Sequence, residues 1–277
     1  MRPLNKPTLD PRLVYDGCVE TIQDEDLKAR LTAERETVLG SVPGYEAAGA
    51  DGDLTRIQTS EQVGLVTKQE MMALYTNQLV QNSGPRSKYY DVLKLATLIC
   101  PFCGHLRVKT LDHYLPKAHF PLFSVTPVNL VPSCRDCNSA KTASRVTKLE
   151  NQVLHPYFDR LPDEQWLFAE LGETHPPSFQ FHAKPPAGWT EIIRRRVATH
   201  FRVFELAELY TTQAGEEFGN IEHVILELYK TGGAAKVRSH LDGELRSREA
   251  NHRNSWQTAF YQACAASDWF CECCFQE

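Results

Sequence analysis

Two Cys-x-x-Cys pairs, Cys100/Cys103 and Cys134/Cys137, stand thirty residues apart in a chain of 277 residues. Nothing else in the sequence restricts the fold as tightly. Four thiolates in two close pairs are what a tetrahedral zinc ion takes, and a structural site draws all four ligands from protein. Everything between the pairs is then a loop held at both ends. A four-cysteine ion also has no open coordination position. Any chemistry must come from polar side chains that the ion holds in place. The bracketed stretch supplies them: Asp112-His113, then Asn129, with Asn138 directly after the last cysteine.

Read in order as CPFCG, LDHYLPK, NLVPSC and CRDCNSAK, these residues resemble the HNH endonuclease family, in the branch whose core is clamped by a four-cysteine zinc. The match covers roughly residues 98–160, and the third family position is Asn138 rather than histidine, a substitution common in the family. The resemblance implies a ββα-metal module. Its first strand would end over 108–111, with Asp112 and His113 at the exit. A loop over 114–127, a short second strand over 129–132 and a helix starting near Arg135 or Asp136 would follow. The residues support this layout independently. Pro116, Pro121 and Pro127 exclude a helix through the loop, while Asp136, Asn138 and Ser139 suit a helix start.

The chemistry that the resemblance implies is hydrolysis of phosphodiester bonds in DNA. That reaction needs a deprotonated water, a cation to absorb charge on the phosphorane and a stabilised leaving oxygen. By the resemblance His113 is the general base, because a neutral imidazole can take a proton near neutral pH. Asp112 and Asn138 are the oxygen ligands of Mg2+ or Mn2+, and Asn129 holds the loop and orients His113 through a backbone hydrogen bond. Lys141, Arg135 and Lys117 are expected at DNA phosphates. His155, in LHPYFDR, is a further candidate for the metal or a phosphate, beside a plain helix-exit role for its His-Pro pair. Asn129 and Asn138 also suit turns and caps, and for Asn138 capping and metal ligation compete for one oxygen. His105 and His119 flank the site and read as solvent-facing loop residues.

At 42% hydrophobic, the chain can bury a core and is expected to form one or two domains. The fold class is α+β, with the zinc-clamped module (98–160) between mainly helical regions, 1–97 and 161–277. No charged start leads into an apolar run and no apolar segment approaches about eighteen residues, which argues against a membrane. Nine cysteines, an odd count, without an export signal point to a reducing compartment, the cytoplasm. The net charge of −5 hides an asymmetry: residues 100–150 carry seven basic and three acidic side chains, so that stretch is +4 and the remainder −9. A positive module suits phosphate contact, and the acidic remainder points to a regulatory protein partner. Helical flanks around such a core are similar to stand-alone bacterial nucleases of restriction and anti-phage systems, including the HNH subunit of Septu, which works with an ATPase. This chain has no GxxxxGK[ST] loop, so ATP control would need another polypeptide. Oligomeric state is not legible. Two alternatives stand beside DNA cleavage. One is a zinc-stabilised binding module without hydrolysis, which has no need of Asp112, His113 and Asn138 together. The other is an RNA-cleaving relative, since a phosphodiester site does not itself read the sugar.

Helical spacing predicts helices over 24–38, 67–81 and 87–97, the second with a capping box of Thr67 and Glu70. Residues 40–53, with Pro43 and several small residues, read as a connector, and Gly84-Pro85 as a break. Beyond the module, SFQFHAK alternates like a short strand, and helices are predicted over 191–210, 217–229 and 236–266. Arg194, Arg195 and Arg196 read as a solvated face. Cys264, Cys271, Cys273 and Cys274 are spaced poorly for a second zinc, and read as reduced thiols packing near Trp269 and Phe270.

Overall fold

Asp10 and Asp24 each accept a hydrogen bond from free N–H groups at a helix start, opening α1 (Pro11–Val19) and α2 (Glu25–Ala33). In this computed structural model, which describes residues 1–272, the chain divides into two units, Met1–Arg160 and Leu161–Glu277. Contrary to the predicted connector, α3 runs unbroken over Arg35–Ala50 with Pro43 inside it. Val38, Val42, Tyr45 and Ala48 recur at helical spacing and are all buried, and that apolar face outweighs the one backbone bond that proline removes. The small residues serve packing: a Cβ on Gly49 would meet the Phe158 ring at 2.8 Å.

A two-residue hairpin, β1 (Gln62–Val63) with β2 (Val66–Thr67), leads into α4 (Lys68–Ala73). The Thr67/Glu70 capping box is present. The helix then widens into π-helical turns over Leu74–Gln81. The helical run ends at Gln81, where the sequence puts its end, and Gly84-Pro85, past the extended Asn82, begins the next helix. Asn82 caps α5 (Ser83–Pro85), and the chain continues through π-helical turns into α6 (Asp91–Lys94). Proline is tolerated in a first turn because its missing N–H has no partner there.

The cysteine-bracketed stretch folds as an antiparallel pair followed by a helix. Strand β3 (Thr110–His113) lies against β4 (Leu130–Ser133), with Thr110 opposite Ser133 and His113 opposite Leu130. Asp112 and His113 are thus the last residues of β3 rather than beyond it. Helix α7 (Arg135–Lys141) follows at once. Leu111, Val125 and Leu130 join Val14, Leu31 and Met71 in one apolar core. The regions read as 1–97 and 98–160 therefore pack as a single unit.

In the second unit β6 (Ser178–Ala183), foreseen in SFQFHAK, pairs antiparallel with β5 (Leu167–Gly172). The predicted 191–210 helix is two: α8 (Glu191–Val203) ends before Glu205, whose φ of +51° turns the chain into α9 (Leu206–His252). Gly233, at φ +64° and outside helical geometry, divides α9 into two pieces. Asn254 then accepts from the backbone N–H groups of Trp166 and Leu167, tying the hairpin to the start of α10 (Trp256–Ala266). Arg194 and Arg195 pair with Glu191 on the surface, whereas Arg196 is buried. Cys264 and Cys271, the latter in α11 (Asp268–Glu272), are buried cysteines outside any disulfide. Cys273 and Cys274 lie outside the described residues. Among the described residues no helix is long and apolar enough to cross a membrane.

Candidate active site

The four cysteine sulfurs lie within 4.8 Å of one another, all buried and none in a disulfide. A tetrahedral zinc with bonds of about 2.3 Å sets its sulfurs roughly 3.8 Å apart, a spacing the cluster can accommodate. The donors are prepared by the backbone. Leu106 N–H donates to Cys103 Sγ and Cys137 N–H to Cys134 Sγ, each at 3.3 Å. Gly104, at φ +68°, turns the chain so that its N–H reaches Cys100 O at 2.8 Å. Four thiols this close cannot ionise alike. Hydrogen bonds from its neighbours pull Cys100 toward the thiolate, and that arrangement pushes Cys137 the other way. A dication removes the conflict. The four buried cysteines can thus bind a structural Zn2+.

The frame also aims α7. Its N-cap is Cys134, so Asn138 sits one turn inside the helix and is not a cap. The competition foreseen for its side-chain oxygen does not arise. Asn138, Asp112, His113 and Lys117 line one cavity of about 390 Å³, together with Tyr75 and Thr142.

His113 Nε2 lies 2.8 Å from the main-chain carbonyl of Ser124. A carbonyl can only accept, so Nε2 carries the proton and the neutral ring keeps its lone pair on Nδ1. Burial and the nearby Lys117 ammonium, with a lesser effect of Lys141, push this imidazole down to about 3, against an upward pull from the Ser124 carbonyl. The Tyr75 ring packs edge-on against it, with centroids 4.3 Å apart. Lys117, over the same Tyr75 ring at 4.5 Å, donates to Thr76 Oγ1 at 3.3 Å.

Asp112 is buried, and its Oδ2 has no aligned hydrogen bond although Lys141 Nζ stands 3.0 Å away. Burial raises this carboxyl above its ordinary range, and Lys141 pulls it back. A carboxylate and a side-chain amide lining one cavity are a donor set that fits a hard cation completed by water. Lys141 itself, expected at a phosphate, points inward: its ammonium also donates to His113 O at 2.7 Å, and its side chain is 8% exposed. Arg135 is exposed on the first turn of α7.

Asn129 is fully buried behind the cavity. Its Nδ2 donates to Leu115 O and Phe123 O, and its Oδ1 accepts from Leu115 N–H at 2.7 Å and Tyr45 Oη at 3.0 Å. Its main-chain carbonyl accepts from Tyr114 N–H at 2.8 Å, next to His113. His155 is buried as well and does not line the cavity. Its Nδ1 accepts from Tyr157 N–H, its Nε2 faces Tyr45 Oη at 3.3 Å, and its ring stacks on Tyr114. His105 and His119 are half-buried rather than fully solvent-facing. Sequence reasoning missed Tyr45 and Tyr75. The first lies in what read as a connector, and the second is an ordinary aromatic position on a helix, so neither carries a sequence signal.

Along its whole length the chain is similar to protein ea31 of Escherichia phage lambda. The two are 29% identical over 294 aligned residues, covering 98% of this chain and 99% of that protein. The similarity therefore includes the helical regions as well as the cysteine module. No family model matches the chain, and no solved structure matches it.

Proposed function

We propose that this chain is a metal-dependent endonuclease of the HNH type that hydrolyses phosphodiester bonds in DNA. One observation carries the reading: Asp112, His113 and Asn138, from a strand end and a helix fixed by the four-cysteine frame, line the same cavity beside the Lys117 ammonium. A strand pair followed by a helix, β3–β4–α7, is the layout that a ββα-metal module requires.

Bound Mg2+ or Mn2+ would neutralise charge growing on the phosphorane and the leaving oxygen. Asp112 and Asn138 would hold it. The rest falls to the chain. His113 Nδ1, its tautomer fixed by the Ser124 carbonyl, takes the proton from the attacking water. Held low by burial and two ammonium groups, the ring stays neutral and able to accept. An entering phosphate offsets the Lys117 and Lys141 charges and makes His113 more basic when it is needed. Lys117 meets the phosphate on the cavity wall, Arg135 meets the backbone outside it, and Asn129 keeps the 114–129 loop from shifting His113. The helical flanks and the acidic remainder support a role in restriction or anti-phage defence with a protein partner, of which an ATPase is one kind.

The second reading, a binding module without hydrolysis, is favoured by Lys141 lying against Asp112, which already neutralises that carboxylate. Supercoiled plasmid with Mg2+ or Mn2+ decides between them, with His113→Ala at matched zinc content beside the native chain. Nicking or linearisation that is lost in H113A supports the nuclease. Cleavage that survives H113A sinks His113 as the base. A chain that binds DNA, cuts neither plasmid nor single-stranded RNA, and behaves the same as H113A is the binding module.

A further inference from the structure

In the proposed reaction Lys141 acts on His113 only through its charge, and touches neither water nor phosphate. Its ammonium is 3.0 Å from Asp112 Oδ2, donates to His113 O at 2.7 Å and lies 5.5 Å from the Tyr114 ring centre, with little of the side chain in solvent. Oδ2 is buried without an aligned hydrogen bond, and the ammonium 3.0 Å away is the charge that faces it. The placement is built in. Cys134 caps α7, which ties the helix start to the cysteine frame, and Lys141 is the last residue of that short helix. Thr142, at φ +57°, ends the helix immediately afterwards.

We propose that Lys141 is the resident counter-ion of Asp112, and that a divalent cation entering the site must compete with its ammonium. This rests on the reading of Asp112 and Asn138 as cation ligands. A buried carboxylate with no partner is strongly disfavoured, and the lysine keeps Asp112 charged and aimed while the site holds no cation. A divalent ion on Asp112 would then sit within a few ångström of a positive charge. The lysine either leaves the carboxylate or stays and repels the ion, and both weaken cation binding. Lys141 therefore sets the metal concentration at which the site loads. The flexible four-carbon stem of lysine permits such a release, whereas a rigid guanidinium fork would not.

The test is Mn2+ binding by full-length, zinc-loaded protein without nucleic acid, read from the free Mn2+ signal in electron paramagnetic resonance. Native chain, Lys141→Met, Lys141→Arg and Asp112→Asn are compared, with zinc content and circular dichroism as folding controls. K141M keeps the stem and loses the charge, and it should bind Mn2+ about 10-fold more tightly or better, the scale of one unit charge near a divalent ion in a partly buried site. K141R should bind no more tightly than the native chain, and D112N should abolish binding. Asp112-dependent binding in the native chain that is unchanged or weaker in K141M overturns the counter-ion role alone. Absence of Asp112-dependent binding in every variant overturns the cation-ligand reading, and this proposal with it. Should K141M not fold, the Lys141 Cε resonance of native protein serves instead. It should shift as Mg2+ saturates Asp112, and a resonance that stays put overturns the proposal.

Discussion

Replacing Asn129 tests how the loop before β4 is held. Its amide makes four buried hydrogen bonds: Nδ2 to Leu115 O at 3.0 Å and to Phe123 O at 3.1 Å, and Oδ1 from Leu115 N–H at 2.7 Å and from Tyr45 Oη at 3.0 Å. The side chain is wholly buried, so water does not replace it without entering the core. A buried polar group left unpaired costs about 1–3 kcal/mol. Phe123 O keeps the Thr126 N–H at 3.3 Å, so three groups lose their partner, which at the low end puts Asn129→Ala at about 3–4 kcal/mol of destabilisation. Asn129→Asp separates acceptor from donor. It keeps the Oδ1 bonds but sets a second oxygen against the Leu115 and Phe123 carbonyls, a clash relieved when the carboxyl is protonated. Its folded pKa is then raised above the ordinary carboxyl value of about 3.9. A raised pKa contributes stability that is present below the unfolded value and lost as pH rises through the folded one. Relative to the native chain, N129D should therefore be milder near pH 4 than near pH 7. Urea unfolding followed by circular dichroism at both pH values measures this, with amide exchange over residues 114–129 as the local probe. All four tryptophans lie in the Leu161–Glu277 unit, so their emission reports that unit instead. An N129A chain within about 1 kcal/mol of native, or an N129D penalty equal at both pH values, refutes the reasoning.

Further outcomes are expected elsewhere. Metal analysis should return one zinc per chain, lost in Cys103→Ser and Cys137→Ser along with the fold around β3 and α7; a second equivalent would contradict the reading of Cys264 and Cys271 as plain thiols. Arg30 holds the Glu70 carboxyl down from its ordinary 4.5 to about 2. The stability this adds is complete above pH 4.5 and disappears as pH falls toward 2, so Glu70→Gln, which can keep the capping box, should differ from native most at neutral pH and converge with it in acid melts. Lys117→Met removes the largest charge effect depressing His113, so the imidazole should titrate above about 3, visible in nitrogen-detected histidine spectra. An unmoved titration would place Lys117 too far from the ring to matter.

Much of the site was legible because its signals are local. Cys-x-x-Cys spacing puts two thiols on one turn whatever surrounds them, and Asp112 next to His113 at a strand end fixes their order along the chain. The Thr67/Glu70 box likewise acts within a single helical turn. Where the reading went astray, long-range packing overruled local preference. Pro43 and the small residues after it read as a linker, yet Val38, Val42, Tyr45 and Ala48 bury one face of α3 and bring the Phe158 ring onto Gly49. The break read at Gly84-Pro85 falls instead at the extended Asn82, which turns that pair into a first helical turn. Glu205 at positive φ and the turn at Gly233 have no periodic signature at all.

Residue order by itself determined the four-thiol cluster and the identity of the polar residues it brackets, because these depend on contacts a few residues apart or on metal-ligand chemistry, while the strand–loop–strand–helix succession followed from the HNH resemblance. Tertiary structure alone decided what each polar group faces. Lys141 reads as a phosphate ligand from its spacing and becomes a buried partner of Asp112, because the cysteine frame fixes the direction of α7. Asn129 reads, by the resemblance, as the residue that holds the loop, but its partner Tyr45 is set only by packing, because α3 delivers it across 84 residues of chain. The physical reason is the same in both cases. A buried polar atom takes whichever partner packing brings within about 3 Å, and sequence spacing does not set that distance.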